Sequence, residues 1–153
     1  MNIYRKLFEN MGYFPFFTKA LLDDFKPESS DIDLNRTQRK TLLFLTKESG
    51  KTMSELSERA VLEKGSFTTV IDKLIDEGLA ERERDENDRR KIIVSITQKG
   101  RETAEKISED LSRHLEEKLS QLPEENIREI LETTEMVKRV SLKMTGCGEE
   151  KTV

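Results

Sequence analysis

Cysteine, histidine and tryptophan are almost missing from this sequence, with one Cys, one His and no Trp in 153 residues. Cys147, in the stretch TGCGEE, has no second thiol with which to close an intrachain disulfide. Neither it nor His114 has a further Cys or His at ligand spacing, so no metal and no other cofactor is expected. Long apolar runs are also absent. No segment approaches the roughly 20 apolar residues that cross a bilayer, and the N-terminal stretch lacks the basic, apolar, small-residue order of a signal peptide. A cytoplasmic chain without membrane contact is expected. Catalysis lacks its parts as well: no acid, base and nucleophile set converges, so an enzyme is not expected. Two short motifs fail on inspection. SGKTM resembles the end of a phosphate-binding loop, but the glycine such a loop needs is Leu45, inside a helical pattern. Asn35-Arg36-Thr37 is a glycosylation sequon by letters alone, in a chain with no export signal.

What is abundant is charge. Charged residues make up 38% against 34% hydrophobic, and the mean hydropathy is -0.70, so much of the chain must lie on solvated helix faces. Regularly spaced aliphatics nevertheless argue for one folded domain. The net charge of -4 argues against non-specific coating of nucleic acid, but the sum hides a distribution. From Leu34 to Gly50 there are four bases and one acid, and from Lys51 to Arg101 eleven of each. Both ends are acidic. Arg89, Arg90 and Lys91 are adjacent, which makes a focused positive point.

Apolar residues at Ile3, Leu7, Met11, Phe14, Phe17, Leu21, Leu22 and Phe25 follow helical spacing and predict one long helix, kinked near Tyr13 by Gly12 and Pro15. A loop, KPESSDID, follows. Asn35 and Gln38 cap a second helix that Gly50 stops, and Thr52 with Glu55 forms a capping box for a short third one, SELSERA. In EKGSFTTVIDKLIDEG, Phe67, Val70, Ile71, Leu74 and Ile75 mark a buried face and Gly78 takes the C-terminal cap position. Two short helices with a tight connection read as a helix-turn-helix. Next, LAERER and RKIIVSI are strand-like runs around DEND, which supplies turn residues, so a β-hairpin is expected. A hairpin in that place is the wing of a winged helix. Thr97 caps a long helix with a stripe of Ala104, Ile107, Leu111, Leu115, Leu119 and Leu122, and Pro123 opens another with Ile127, Ile130, Leu131, Thr134, Val137, Val140 and Met144. These stripes exceed what one small lobe can cover, so a second subunit is expected on them.

The fold class that results is mostly α with a small β wing: a winged helix-turn-helix with long N- and C-terminal dimerisation helices. Residues 1–33 form the N-terminal dimerisation helix and loop, 34–100 the winged lobe, 101–145 the C-terminal dimerisation helices and 146–153 a tail, within one intertwined domain. The hairpin acts as a stiff arm whose tip, shaped by Asp85, Asn87 and Asp88, presents Arg89 and Arg90 outward. A rigidly held Arg suits a narrow minor groove, where the potential is most negative.

From Leu34 to Met144, and most specifically from Ser66 to Gly100, the sequence resembles the MarR family of transcriptional regulators. The family pattern is a helix ending in L-x-x-x-G-L, an Arg, a D-x-x-D-x-R tip and a strand entering L-T-x-x-G; here it reads LIDEGL, Arg82 or Arg84, DENDRR and SITQKG. The resemblance implies a homodimer that binds double-stranded DNA at a pseudo-palindrome, as a repressor released by a small-molecule effector. Glu63 to Glu77 would be the recognition helix. Lys64, Ser66, Thr68 and Thr69 would meet bases or phosphates, Ser54 and Lys73 phosphates, and Arg90 the minor groove, held by a charge-assisted pair with Asp88. Arg84, Arg89 and Lys91 complete the cationic set. Many members carry Arg where this chain has Thr69, so base preference does not transfer. Members that sense peroxide do so through a first-helix Cys, which is absent here.

Each feature has a plainer reading. DENDRRK alone could be a solvated turn, and Thr68 and Thr69 could simply be exposed; the hairpin and preceding helix favour contact with DNA. Tyr13, Phe14 and Phe17 could line an effector pocket, although aromatics at helical spacing are more often core. The alternative function is a winged-helix protein-interaction module without specific DNA binding. It calls for an exposed apolar patch on the recognition helix, where this chain has Lys64, Ser66, Thr68, Thr69 and Lys73.

Overall fold

A computed structural model describes residues 2–29, 31–60 and 64–145. The elements in order are α1 (Ile3–Met11), α2 (Phe14–Leu22), α3 (Arg36–Glu48), β1 (Lys51–Thr52), α4 (Met53–Arg59), α5 (Lys64–Asp76), β2 (Ala80–Arg84), β3 (Ile92–Ile96), α6 (Gln98–Leu119) and α7 (Glu124–Thr145). Two compact units divide within α6, at Arg113/His114. No helix among the described residues is long and apolar enough to cross a membrane. Glu63, at the start of the expected recognition helix, and the 146–153 tail lie outside the described residues.

The N-terminal segment is two helices where the apolar spacing predicts one. In a continuous helix the Met11 carbonyl would receive the amide of residue 15, and Pro15 has none. The Tyr13 amide instead reaches back to the Asn10 carbonyl at 3.0 Å, and helical pairing resumes from Phe17 to Tyr13, also at 3.0 Å. The kink expected at Tyr13 is therefore a break.

Both predicted capping boxes form. Asn35 accepts from the Gln38 amide and Gln38 returns the bond, each at 2.9 Å, while Thr52 and Glu55 do the same at the head of α4. Between these helices Gly50 takes φ +79°, a left-handed conformation that turns the chain into β1. The sheet order is β1-β3-β2, antiparallel throughout, with Lys51 opposite Val94 and a hairpin register from Ala80–Ile96 to Arg84–Ile92. The hairpin lies where the alternation predicts it, but β1 is too short to show any period.

One core lies beneath this sheet, shared by Leu42 and Leu45 of α3, Leu56 of α4, Phe67, Val70, Ile71 and Leu74 of α5, Val94 and Ile96 of β3, and Ala104 and Ile107 of α6. Each fully buried large side chain contributes roughly 1.5–3 kcal/mol. Helix α5 ends in a Schellman turn: Leu79 N donates to Leu74 O and Gly78 N to Ile75 O, both at 2.8 Å, with Gly78 at φ +71°. Thr97 secures that turn to the next helix. Its hydroxyl donates to Gly78 O at 2.7 Å and accepts from the Gly100 amide at 3.0 Å, capping α6. Gly100 lies against the backbone of Leu79, so that an added Cβ would stand 2.0 Å from the Leu79 carbonyl oxygen and 2.7 Å from Ile96 Cγ1.

A second tether joins the loop before α3 to α6. The buried Asp110 carboxylate accepts from the amides of Glu28 at 2.8 Å and Ser29 at 2.7 Å, from the Ser29 hydroxyl at 2.6 Å, and from Arg113. These bonds, led by that of the Ser29 hydroxyl, hold its pKa down to about 2.

In the second unit, α7 begins after Pro123, whose carbonyl accepts from Asn126 and Ile127, and Glu124 and Glu125 occupy the positive end of the helix. Leu131, Met136, Val137, Val140 and Met144 are exposed in the single chain, as are Ile3, Tyr4, Leu7, Phe8 and Met11 of α1.

Two predictions follow from these tethers. Gly100→Ala should cost about 3 kcal/mol through overpacking against main chain, read as a shifted urea midpoint, and a loss under about 1 kcal/mol would mean that the contact relaxes. The Asp110 contribution should be complete above the unfolded value near 3.8 and fall away as pH drops toward about 2, because there the unfolded chain takes up a proton that the folded chain refuses. Acid unfolding of Asp110→Asn should accordingly be flatter between those limits, and an unaltered acid limb would remove this role.

Candidate nucleic-acid interface

Helix α5 and the hairpin β2–β3 carry most of the residues that the sequence singles out. Burial of Phe67, Val70, Ile71 and Leu74 forces Ser66, Thr68 and Thr69 outward, because a 3.6-residue period leaves those positions on the opposite face. Lys64 is the first residue of α5, and Ser54 is exposed in the first turn of α4. Lys73 is at the far end of α5, where its ammonium is ion-paired with Glu77; that hydrogen bond, then the charge attraction, raises the Lys73 pKa. Lys99 donates to the Glu77 carbonyl at 2.7 Å, placing a cation at the C-terminal end of α5.

At the wing tip, Asp85 Oδ1 accepts from the amides of Asn87 at 2.8 Å and Asp88 at 2.7 Å. The strand ends are closed by Asp85 N to Lys91 O at 3.1 Å and Lys91 N to Asp88 O at 2.8 Å. Short polar side chains thus replace water on the turn amides and stiffen the tip. Asp88 differs from its expected role. Its Oδ1 accepts from the backbone amide of Arg90 at 3.1 Å and makes no ion pair with the Arg90 guanidinium. The chemistry is that of an Asx turn: the carboxylate shapes the backbone, and Arg90 is exposed.

Arg84, Arg89, Arg90 and Lys91 are exposed and make no ion pair among the described residues. Arg82 does. Its guanidinium meets the Asp72 carboxylate of α5 at 2.7 Å, a link that the sequence reading missed because the partners lie on different elements. Residues 82 and 84 share one face of β2 with buried Ala80, leaving Glu81 and Glu83 on the other.

Two cavities open beside α3. The larger, about 460 Å³, is lined by Arg36, Thr37, Lys40, Thr41 and Phe44 of α3 and by Arg59 and Ala60 after α4. The smaller, about 60 Å³, is bounded by Leu22, Phe25, Arg39, Leu43, Ile107 and Leu111 among others. Tyr13, Phe14 and Phe17 are not among the residues lining either; Tyr13 is 72% exposed and Phe14 43%. No group of three or more His, Cys, Asp or Glu placed to hold a metal occurs among the described residues.

A two-helix turn whose second helix presents a polar face, followed directly by a cationic hairpin on a three-stranded sheet, defines a winged helix-turn-helix protein. A model of the MarR family matches residues 32–91. The chain is 34% identical over 109 residues to the HTH-type transcriptional regulator MhqR of Bacillus subtilis, covering 71% of this chain and 73% of that protein. Among solved structures it resembles the transcriptional regulator BldR of Sulfolobus solfataricus, with 27% identity, 91% of this chain and 99% of that one covered, and a TM-score of 0.70. The fold also matches Streptococcus pneumoniae FabT, solved in complex with DNA, at 22% identity, coverage of 92% and 99%, and a TM-score of 0.64. The chain belongs to the MarR family of winged-helix transcriptional regulators.

Proposed function

We propose that this regulator binds a pseudo-palindromic operator as a homodimer, with α5 in the major groove and the wing tip in the adjoining minor groove. The observation that carries the reading is the tip itself: three adjacent cations on a turn whose main-chain amides donate to Asp85 and Asp88, with no carboxylate partner for the cations among the described residues. The Arg90 side chain supplies the minor-groove charge. Ser66, Thr68 and Thr69, with Lys64, meet base edges and phosphates; Ser54, Arg84, Arg89 and Lys91 contact phosphates, and Lys73 joins them by exchanging Glu77 for a phosphate. The exposed apolar residues of α1 and α7 supply the dimer surface, and a two-fold pair would set recognition helices about 34 Å apart.

Selection of bound duplexes from a random pool at two salt concentrations, with sedimentation of the free protein, tests this reading. A single-chain mass, or no enriched half-site pair, would sink it. On the selected duplex Arg90→Ala should weaken binding by about tenfold or more, whereas Lys73→Ala should lower affinity evenly on all sequences and flatten the salt slope by about one unit. Equal losses on every sequence for both variants would contradict the division of labour.

Regulation by a small molecule is supported by the larger cavity, which pairs an apolar wall of Phe44 and Ala60 with the cations Arg36, Lys40 and Arg59. That lining suits a small anion with an apolar body, and α4, which bounds the cavity, immediately precedes α5 in the chain. Repression is relieved when the ligand shifts α4. Screening such anions for release of DNA tests this, and Lys40→Ala should raise the concentration needed by about tenfold. A response unchanged in that variant would move the effector site elsewhere.

A further inference from the structure

We propose that Asp72 and Arg82 are positioning residues that lock the wing to the recognition helix, so that the two DNA-facing elements move as one body. The proposal rests on the DNA-binding reading above and assigns these residues no contact with DNA. The carboxylate of Asp72 on α5 and the guanidinium of Arg82 on β2 meet at 2.7 Å. Asp72 is one helical turn beyond Thr68, on the same helix as the outward-facing hydroxyls. Arg82 is the central residue of β2, opposite the fully buried Val94, and so sits where the hairpin leaves the core. Beyond this level the sheet thins. Strand β1 pairs with β3 only at Val94 and Ile93, so from Arg84–Ile92 outward the wing is a two-stranded ribbon. Such a ribbon is marginal by itself and swings about its base unless something fixes its angle.

The charges fit this role better than direct binding. Arg82 is neutralised by Asp72, whereas Arg84, Arg89, Arg90 and Lys91 have no acidic partner among the described residues. The pair is also half exposed, with side-chain exposures of 34% for Arg82 and 50% for Asp72, which keeps its contribution to global stability small. Its effect is instead to settle the wing angle before DNA arrives, so that less order must be acquired on binding.

The test compares Asp72→Ala, Arg82→Gln and the charge-exchanged double variant Asp72→Arg/Arg82→Asp on the duplex that the wild-type chain selects from a random pool. Alanine is favourable within a helix, so Asp72→Ala leaves α5 intact. Each single variant should bind about tenfold more weakly with an unchanged salt slope and a Tm within about 3 °C of wild type, and the exchanged pair should recover most of the loss. In the free protein, 15N relaxation should show added motion at amides 86–90 in the single variants and its suppression in the exchanged one. Single variants that bind within about twofold of wild type overturn the proposal. So does a double variant no better than the singles, or a salt slope reduced by about one unit for Arg82→Gln alone, which would make Arg82 a phosphate ligand. Should the wild type select no duplex, the DNA-binding reading fails on that ground. The relaxation arm then still decides, because unchanged tip motion in Asp72→Ala removes the lock.

Discussion

The winged lobe depends on one close approach, that of Gly100 to the main chain of Leu79. Three elements meet there: α5 has just ended, β2 is about to begin, and α6 starts. With an added Cβ only 2.0 Å from the Leu79 carbonyl, no side chain fits without main chain moving. Thr97 completes the junction by bonding Gly78 O and capping α6, and Thr97 N donates to Leu79 O at 3.1 Å. The end of α5, both strands of the wing and the first turn of α6 are therefore fixed relative to one another. A wing attached at a loose joint could not hold its arginines at a set distance from α5. The Thr-x-x-Gly that closes the hairpin is a steric requirement of this joint before it is a family signature.

Polar tethers extend the same logic to parts with little core of their own. The loop before α3 is held through Asp110 to α6, and Arg39 of α3 bonds Leu34 O at 2.5 Å and lies over the Phe25 ring at 5.7 Å. The stretch of Pro, Ser and Asp in this loop offers few apolar atoms, so charge-assisted hydrogen bonds anchor it there, while Leu34 and Ile32 anchor its end in the core. The position of α3 is thereby specified from both sides, by Leu42 and Leu45 toward the core and by Arg39 toward the loop.

What the sequence reveals here is whatever is local or periodic. The capping boxes of α3 and α4, the face of α5, the Gly78 cap and the hairpin around residues 85–91 all follow from spacings within a few residues, and all appear in the structure. The misreadings lie where a distant or main-chain partner decides. β1 has two residues and exists because Val94 is opposite it. The N-terminal helix breaks because the proline amide is missing, although the apolar spacing runs on without interruption. Asp88 bonds a backbone amide, which no pairing of side-chain charges could anticipate. Asp72 and Arg82 are ten positions apart on different elements, and each reads as an ordinary solvated charge until the turn at Gly78 brings them together. Tyr13, Phe14 and Phe17 show the limit of the same reasoning, since helical spacing marks a shared face but not what that face meets.

The acidity of the chain is reconciled with a duplex partner by the alternation of β2. In A-E-R-E-R, a period of two sends Arg82 and Arg84 to the side of buried Ala80 and sends Glu81 and Glu83 to the other. A random order of the same charges would cancel along the strand. Segregation by face instead gives the wing a positive side, which meets α5 through the Asp72–Arg82 pair, and a negative side turned away from it. Exposed charges farther apart than a Debye length of about 8–10 Å are largely screened at physiological salt. A phosphate approaching the tip therefore responds chiefly to Arg89, Arg90 and Lys91 and the carboxylates beside them, and only weakly to the net charge of -4. The tip carboxylates would be the real obstacle, and Asp85 and Asp88 are occupied by backbone amides that partly offset their charge. Of the three acidic residues of the tip, Asp85 and Asp88 are thus engaged by the fold, and Glu86 is left exposed.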